Sequence, residues 1–418
     1  MKSALTLITA LMLAPLAALR KKSCPIRMTC CVLLLVRPLT LSALGPGKEQ
    51  IVTITDAPSA MFIAVGDLNG DGRADMALVE APPANPTKST PAFRLHLLYQ
   101  KDGKFAMPAD KTIVLGATMP SGLAIGDFDG DGRNDLAVGL RVERSLSLFL
   151  GSERFEKEHR SRYGNDSGGS SLSLGRVNKT GLADFLTGAA WRQWQGGDRF
   201  GEAYFAGPER NDNGRSTLAD MDRNGTDDVI FTTYWSGKLD MPANNRIRIY
   251  YGPFLKMQIL QPADAAQVVT LNSPFMNSDK PLLGQVLVGD LNDDSQLDLV
   301  APGAGQTLVY LQNSPTGFIE NANPTVIPKD VMPLLVTDLN GDKLCDVAFH
   351  PANETSIALW YQHKDKPLTA DSLAACPRVA IPRMTGVVAS GDLDGDGRQE
   401  IIAAQTRGGL AIITLPRP

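Results

Sequence analysis

Gly66-Asp67-Leu68-Asn69-Gly70-Asp71-Gly72-Arg73-Ala74-Asp75 returns sixty residues later as Gly126-Asp127-Phe128-Asp129-Gly130-Asp131-Gly132-Arg133-Asn134-Asp135, and near the C-terminus as Gly391-Asp392-Leu393-Asp394-Gly395-Asp396-Gly397-Arg398-Gln399-Glu400. Three looser copies begin at Asp220 (with Asp222, Asn224 and Asp228), at Asp290 (with Asn292, Asp294 and Asp298) and at Asp338 (with Asn340, Asp342 and Asp346). A seventh, Gly175-Arg176-Val177-Asn178-Lys179-Thr180-Gly181-Leu182-Ala183-Asp184, keeps the register but has Arg at position 1 and Thr at position 5. Repetition of a short motif at an interval near 50 residues marks a repeat architecture, each unit being one supersecondary element that needs its neighbours to complete a core.

The spacing has a chemical reading. Oxygen side chains at positions 1, 3 and 5 of a tight loop face one centre, glycine at position 6 allows the turn, the carbonyl of position 7 points inward, and the carboxylate at position 9 closes the shell. Hard oxygen donors in that number suit Ca²⁺. The expected ligands are Asp67, Asn69, Asp71, Arg73 and Asp75 in the first loop and Asp127, Asp129, Asp131, Arg133 and Asp135 in the second. In the fourth and fifth they are Asp220, Asp222, Asn224, Thr226 and Asp228, then Asp290, Asn292, Asp294, Gln296 and Asp298. The sixth supplies Asp338, Asn340, Asp342, Leu344 and Asp346, and the last Asp392, Asp394, Asp396, Arg398 and Glu400, with position 7 acting through its carbonyl. An EF-hand would place Glu at position 12 between two helices; here position 12 is apolar and the flanks are strand-like, as in Met61–Val65 and Met76–Val79. In the third loop the expectation is no metal, with the Arg176 guanidinium in the place of the cation.

Fifty residues hold four short antiparallel strands, read in the fifth unit as Gln285–Val288, Leu299–Ala301, Thr307–Gln312 and Thr325–Ile327. One such sheet cannot bury both faces, so the fold expected is an all-β, seven-bladed β-propeller of four-stranded antiparallel blades. The last unit is one strand short, whereas Gln50–Thr55 before the first loop is one strand extra. That N-terminal strand is expected to complete the final blade and remove a sheet edge.

These loops resemble the FG-GAP/VCBS repeat of integrin α-subunit propellers and of many bacterial exported proteins, over roughly residues 50–418. The resemblance implies seven blades with Ca²⁺ between the first two strands of a blade. The family's Phe-Gly and Gly-Ala-Pro elements survive as echoes in Phe205-Ala206-Gly207-Pro208 and Ala301-Pro302-Gly303-Ala304.

Composition bounds the function. Basic and acidic residues number 41 and 45, which argues against a nucleic-acid binder held by phosphate contacts. Residues 1–45 carry six basic side chains and no acidic ones, flanking two apolar runs too short for an ordinary membrane span. They read as an export signal ahead of a propeller at 46–418, with an uncleaved anchor as the alternative. Secretion, a periplasmic location or display at the cell surface follows from that reading, with no integral membrane domain after cleavage and a monomer expected. Without the leader the net charge moves from −4 to −10, and six Ca²⁺ ions would bring it to +2.

Catalytic sets are weak. His96, His159, His350 and His363 are scattered, and Asn165-Asp166-Ser167-Gly168-Gly169 lacks a companion histidine and reads as a turn. Trp191 and Trp194, among Arg192, Gln193, Gln195 and Asp198, are the candidate ligand-binding residues, a polar loop on which sugar rings could stack, with packing between blades as the alternative. Tyr234, Tyr250, Tyr251 and Trp360 lie on strand-like runs and read as packing between blades. Cys345 and Cys376 fall in one unit and could pair in an oxidising compartment. The reading is therefore a binding or adhesion module for a protein or polysaccharide ligand, the alternative being a Ca²⁺-dependent polysaccharide-active enzyme of lyase type.

Overall fold

In a computed structural model the chain closes into a ring of seven four-stranded antiparallel sheets. The structure describes residues 49–416 except 83–91, 141–144, 163–171, 179–183, 188–189, 197–199, 205–212, 235–245, 256–259, 261, 271–284, 304–305, 315–323, 328–330, 352–353 and 364–366. The expected leader, the Asn165–Gly169 turn and the Phe205–Pro208 echo lie outside these residues.

Blade 1 runs from the inner to the outer strand as Ala60–Gly66, Asp75–Glu80, Phe93–Leu98 and Lys111–Gly116. Blade 2 is Pro120–Gly126, Asp135–Leu140, Ser145–Phe149 and Glu158–Arg162; blade 3 is Leu172–Gly175, Asp184–Thr187, Ala190–Trp194 and Phe200–Tyr204. Blade 4 is Asn213–Ala219, Asp228–Tyr234, Arg246–Tyr250 and Gln267–Thr270; blade 5 is Leu287–Gly289, Asp298–Gly303, Gln306–Tyr310 and Thr325–Ile327. Blade 6 is Val331–Thr337, Asp346–Pro351, Ser356–Trp360 and Arg378–Ala380. Blade 7 has Met384–Gly391, Glu400–Gln405 and Leu410–Thr414, and its outer strand is Gln50–Ile54 from the N-terminus. That strand lies antiparallel on the last, with Gln50 opposite Thr414 and Ile54 opposite Leu410, so the ring is tied by its two ends as expected.

Each blade is buried on both faces because successive strand residues alternate between them. Leu78 packs toward blade 7 with Ile402 and Ala404, whereas its neighbour Val79 packs toward blade 2 with Leu136 and Val138. The same division recurs round the ring, giving one apolar cluster for each of the seven blade interfaces. Second strands therefore read as continuous apolar runs (Met76-Ala77-Leu78-Val79, Leu136-Ala137-Val138) rather than as alternating ones. Among the described residues, helix is limited to Ala370–Ala374 and a short turn at Pro262–Asp264, and no helix is long and apolar enough to cross a membrane.

Tyr250 and Trp360 are buried between blades, as their strand positions suggested. Trp191 and Trp194 lie on a strand, not in a polar loop, and the Trp194 indole is only 4% exposed, edge-on to His159 and Phe200. A ring enclosed in this way cannot serve as a stacking platform, because both of its faces are taken up by the core. The side chain of Trp191 lies outside the described set. Cys376 carries a free thiol, so its pairing with Cys345 does not form.

Candidate metal centre

Each repeat loop joins the inner strand of a blade to the second strand, so all seven lie on one face of the ring. Six of them share one network of backbone donors and side-chain oxygens. The position-1 carboxylate accepts the N–H of position 6 at 2.7–3.0 Å, as in Gly72 to Asp67, Ser295 to Asp290 and Lys343 to Asp338. The position-3 oxygen accepts the N–H of position 5, and the position-5 oxygen accepts that of position 7. These are successive Asx turns, which is why Asp and Asn alternate here. Positions 4 and 6 both have positive φ in every one of the six loops. Glycine fills most of these places, but Arg223, Asp293, Ser295 and Lys343 hold the left-handed conformation with a side chain.

The ninth position does something the spacing alone did not reveal. Its carboxylate is buried, and one oxygen accepts the N–H of position 2 at 2.7–2.9 Å in all seven blades, the third included. In five blades the other oxygen accepts the N–H of the residue two beyond the third strand: Gln100, Gly151, Gly252, Gln312 and Gln362. The acid thus ties three strands together at the rim. Burial, the largest influence on each, lifts Asp75 to about 6 and Asp135, Asp228, Asp298 and Asp346 to about 7. In blade 7 the corresponding residue is Pro416, which has no N–H to give. The acid there, Glu400, is lifted furthest, to about 8.

Carboxylate oxygens of positions 1, 3 and 9 converge to within 4.8 Å of one another in three loops: Asp127, Asp129 and Asp135; Asp220, Asp222 and Asp228; Asp392, Asp394 and Glu400. The loops beginning at Asp67, Asp290 and Asp338 have Asn69, Asn292 and Asn340 at position 3, so an amide oxygen takes that place. In the last loop Arg398 grips Asp396 at 2.6 Å and the Leu415 carbonyl at 2.8 Å, which draws position 5 toward the C-terminus. Asp220 Oδ1 is enclosed and makes no hydrogen bond of ordinary length and angle, the Arg223 and Asn224 N–H groups lying only near its carboxylate. Clustered carboxylate oxygens, the ninth-position acid of each set buried and the other two at the surface or half-buried, fit a hard divalent cation.

The third loop departs from expectation in its means. Arg176 is exposed, and it meets blade 4 through its backbone, donating N–H to Asp227 Oδ2 at 2.6 Å. The buried Asp184 is met instead by two amides, Asn178 Nδ2 at 3.1 Å and Gln193 Nε2 at 3.0 Å. Neutral N–H donors stand where the other loops gather oxygens.

The sequence model of the FG-GAP repeat matches residues 119–139, the inner strand, loop and most of the second strand of blade 2. The chain is a seven-bladed propeller with an FG-GAP repeat in its second blade. Two crystal structures of BBS1N in complex with ARL6DN, soaked with lead and with mercury, resemble this propeller at TM-scores of 0.51 and 0.52 and 9% identity. Each comparison covers 89% of this chain and 97% of the other. The Cps50 (Swd1) beta-propeller domain of Myceliophteria thermophila gives 0.50 at 9% identity, covering 88% and 100%. At such identities the likeness concerns the fold alone. No curated protein matches its sequence.

Proposed function

We propose that this protein is an exported, calcium-stabilised binding module that presents the loops of its ring to a protein or polysaccharide ligand. The observation that carries the calcium reading is the fourth loop, where Asp220, Asp222 and Asp228 converge and Asp220 Oδ1 is enclosed with no hydrogen bond of ordinary length and angle. An ion at these oxygens would neutralise carboxylates that burial otherwise disfavours, and would hold the first and second strands of the blade at a fixed separation. The binding reading draws on the fold, in which rigid blades carry loops of varied sequence on two faces. Export draws on residues 1–45, with their basic start and short apolar runs.

Calorimetric titration of the chelator-treated protein with CaCl₂, with melting followed in CaCl₂ and in EDTA, tests the metal. Saturable binding and a rise in Tm are expected. Absence of binding heat together with identical melts defeats the reading. Mass analysis of the protein recovered from its native host tests the leader, with loss of roughly the first 45 residues expected.

A further inference from the structure

Neighbouring loops are wired to each other by side-chain amides that begin and end on candidate ligand residues or the residues between them. Asn134 stands between Arg133 and Asp135, positions 7 and 9 of the second loop. Its Nδ2 donates to the carbonyl of Asp67, position 1 of the first loop, at 2.8 Å. Gln100 is 6% exposed and touches two loops at once. Its backbone N–H holds Asp75 Oδ1 in the first loop, and its Nε2 donates at 2.5 Å to the Leu393 carbonyl, between Asp392 and Asp394 of the seventh. Gln312 repeats the device: its N–H holds Asp298 of the fifth loop, and its Nε2, which donates to the Ser314 carbonyl at 2.6 Å, also reaches the Met221 carbonyl, between Asp220 and Asp222 of the fourth, at 3.3 Å.

The sixth loop breaks the pattern. Gln362 holds Asp346 through its backbone N–H, but its Oε1 turns back to accept the Cys345 N–H at 2.9 Å, within its own blade. Its Nε2 is buried without a partner.

We propose that cation binding is cooperative within two groups of loops, seven–one–two and four–five, coupled by Gln100, Asn134 and Gln312, while Gln362, turned back into its own blade, couples the sixth loop to neither group. The proposal rests on the calcium reading above. An ion ordering positions 1, 3 and 9 of one loop also orders the amide lodged among them, and that amide holds a ligand segment of the next loop. The second ion then finds its loop already ordered, which is positive coupling without a change of fold. A buried amide separated from its carbonyl is unfavourable, so neither loop of a bridged pair relaxes alone.

Calcium titration of the full chain by calorimetry tests this with four variants. Asn134→Ala, Gln100→Ala and Gln312→Ala leave every ligand side chain and every backbone donor in place, and Gln362→Ala is the control without a bridge. The wild type is expected to bind cooperatively. Asn134→Ala and Gln100→Ala together should abolish cooperativity in the seven–one–two group at unchanged stoichiometry, Gln312→Ala that of four–five, and Gln362→Ala neither. In addition, disabling the second loop by Asp127→Asn should weaken binding at the first by about fivefold in the wild-type background but not in Asn134→Ala. Independent sites in the wild type, or an Asp127→Asn effect equal in both backgrounds, would overturn the coupling while leaving calcium binding intact. No calcium binding at all would overturn both.

Discussion

Asn178 donates its side-chain amide to Asp184 at 3.1 Å in the third blade, and Gln193 reaches the same carboxylate oxygen at 3.0 Å. The ninth-position acid therefore persists where the loop has lost its other carboxylates, because it fastens the blade whether or not a cation is present.

That relationship sets the first prediction. Asp184→Ala removes the acceptor of the buried Val177 N–H and of two half-buried amides. A buried donor so abandoned costs about 1–3 kcal/mol, and half-buried amides can turn to water, so a loss of about 1–3 kcal/mol is expected. Denaturant melts should show the same loss in CaCl₂ and in EDTA. For Asp228→Ala the loss should be larger in CaCl₂, since the stabilisation by the ion goes with it.

Six ninth-position acids have folded-state values of about 6 to 8, raised chiefly by burial above ordinary values near 4. Between those limits the metal-free folded state holds protons that the unfolded chain has released. The stability they contribute is fully present below about pH 4 and is lost as pH rises through 6 to 8. In EDTA the Tm should fall from pH 5 to pH 8, and calcium should reverse that slope. A flat profile in EDTA would contradict it.

Glu400 concentrates this effect, since Pro416 cannot supply the donor found in five other blades. Glu400→Gln removes the ionisation while keeping an oxygen for the Leu393 N–H. In EDTA at pH 8 it should raise Tm, at pH 4 it should change little, and in calcium it should lower Tm by disabling the last loop. Equal shifts at both pH values would refute the account.

Ser295 and Lys343 occupy position 6 with φ of 71° and 73°, where four loops have glycine. Relief of left-handed strain in Ser295→Gly and Lys343→Gly is expected to stabilise the fold by up to about 1 kcal/mol each. Gly132→Ala should destabilise by a similar amount for the same conformational reason, because a Cβ there meets nothing within 4 Å. Urea denaturation of the three variants compares them directly.

Trp194→Ala should lower stability by about 3–5 kcal/mol, the usual cost of emptying a large aromatic site in a core. Deleting residues 46–56 should likewise lower the melting temperature sharply, since it removes the buried Ile54, exposes the edge of Leu410–Thr414 and uncovers Leu410. An unchanged melt in either variant would mean that the packing described for it contributes nothing.

The ring and its closure were legible in the chain because both follow from local pattern. Seven loops in register set the blade count, and one strand extra at the start against one missing at the end sets the closure. Asp, Asn and Gly at fixed offsets likewise specify the turn without any tertiary contact, since each Asx turn is made between residues two apart. Trp194 is enclosed although its strand, Ala190–Trp194, is rich in polar residues, because its environment is supplied by His159 of blade 2 and Phe200 of the next strand.

What the amino-acid order determined by itself was the repeat, the turn chemistry and hence the propeller, because hydrogen bonds within nine residues and apolar runs of strand length suffice for them. The tertiary structure alone decided which donors meet the ninth-position acid, that Pro416 withholds one from Glu400, and which loops Asn134, Gln100 and Gln312 join. The donors two residues beyond the third strands and the amides that bridge loops lie 14 to 293 residues from their acceptors, as Gln312 does from Asp298 and Gln100 from Leu393. They meet only because seven sheets, each too thin to bury its own faces, pack side by side and bring their rims together.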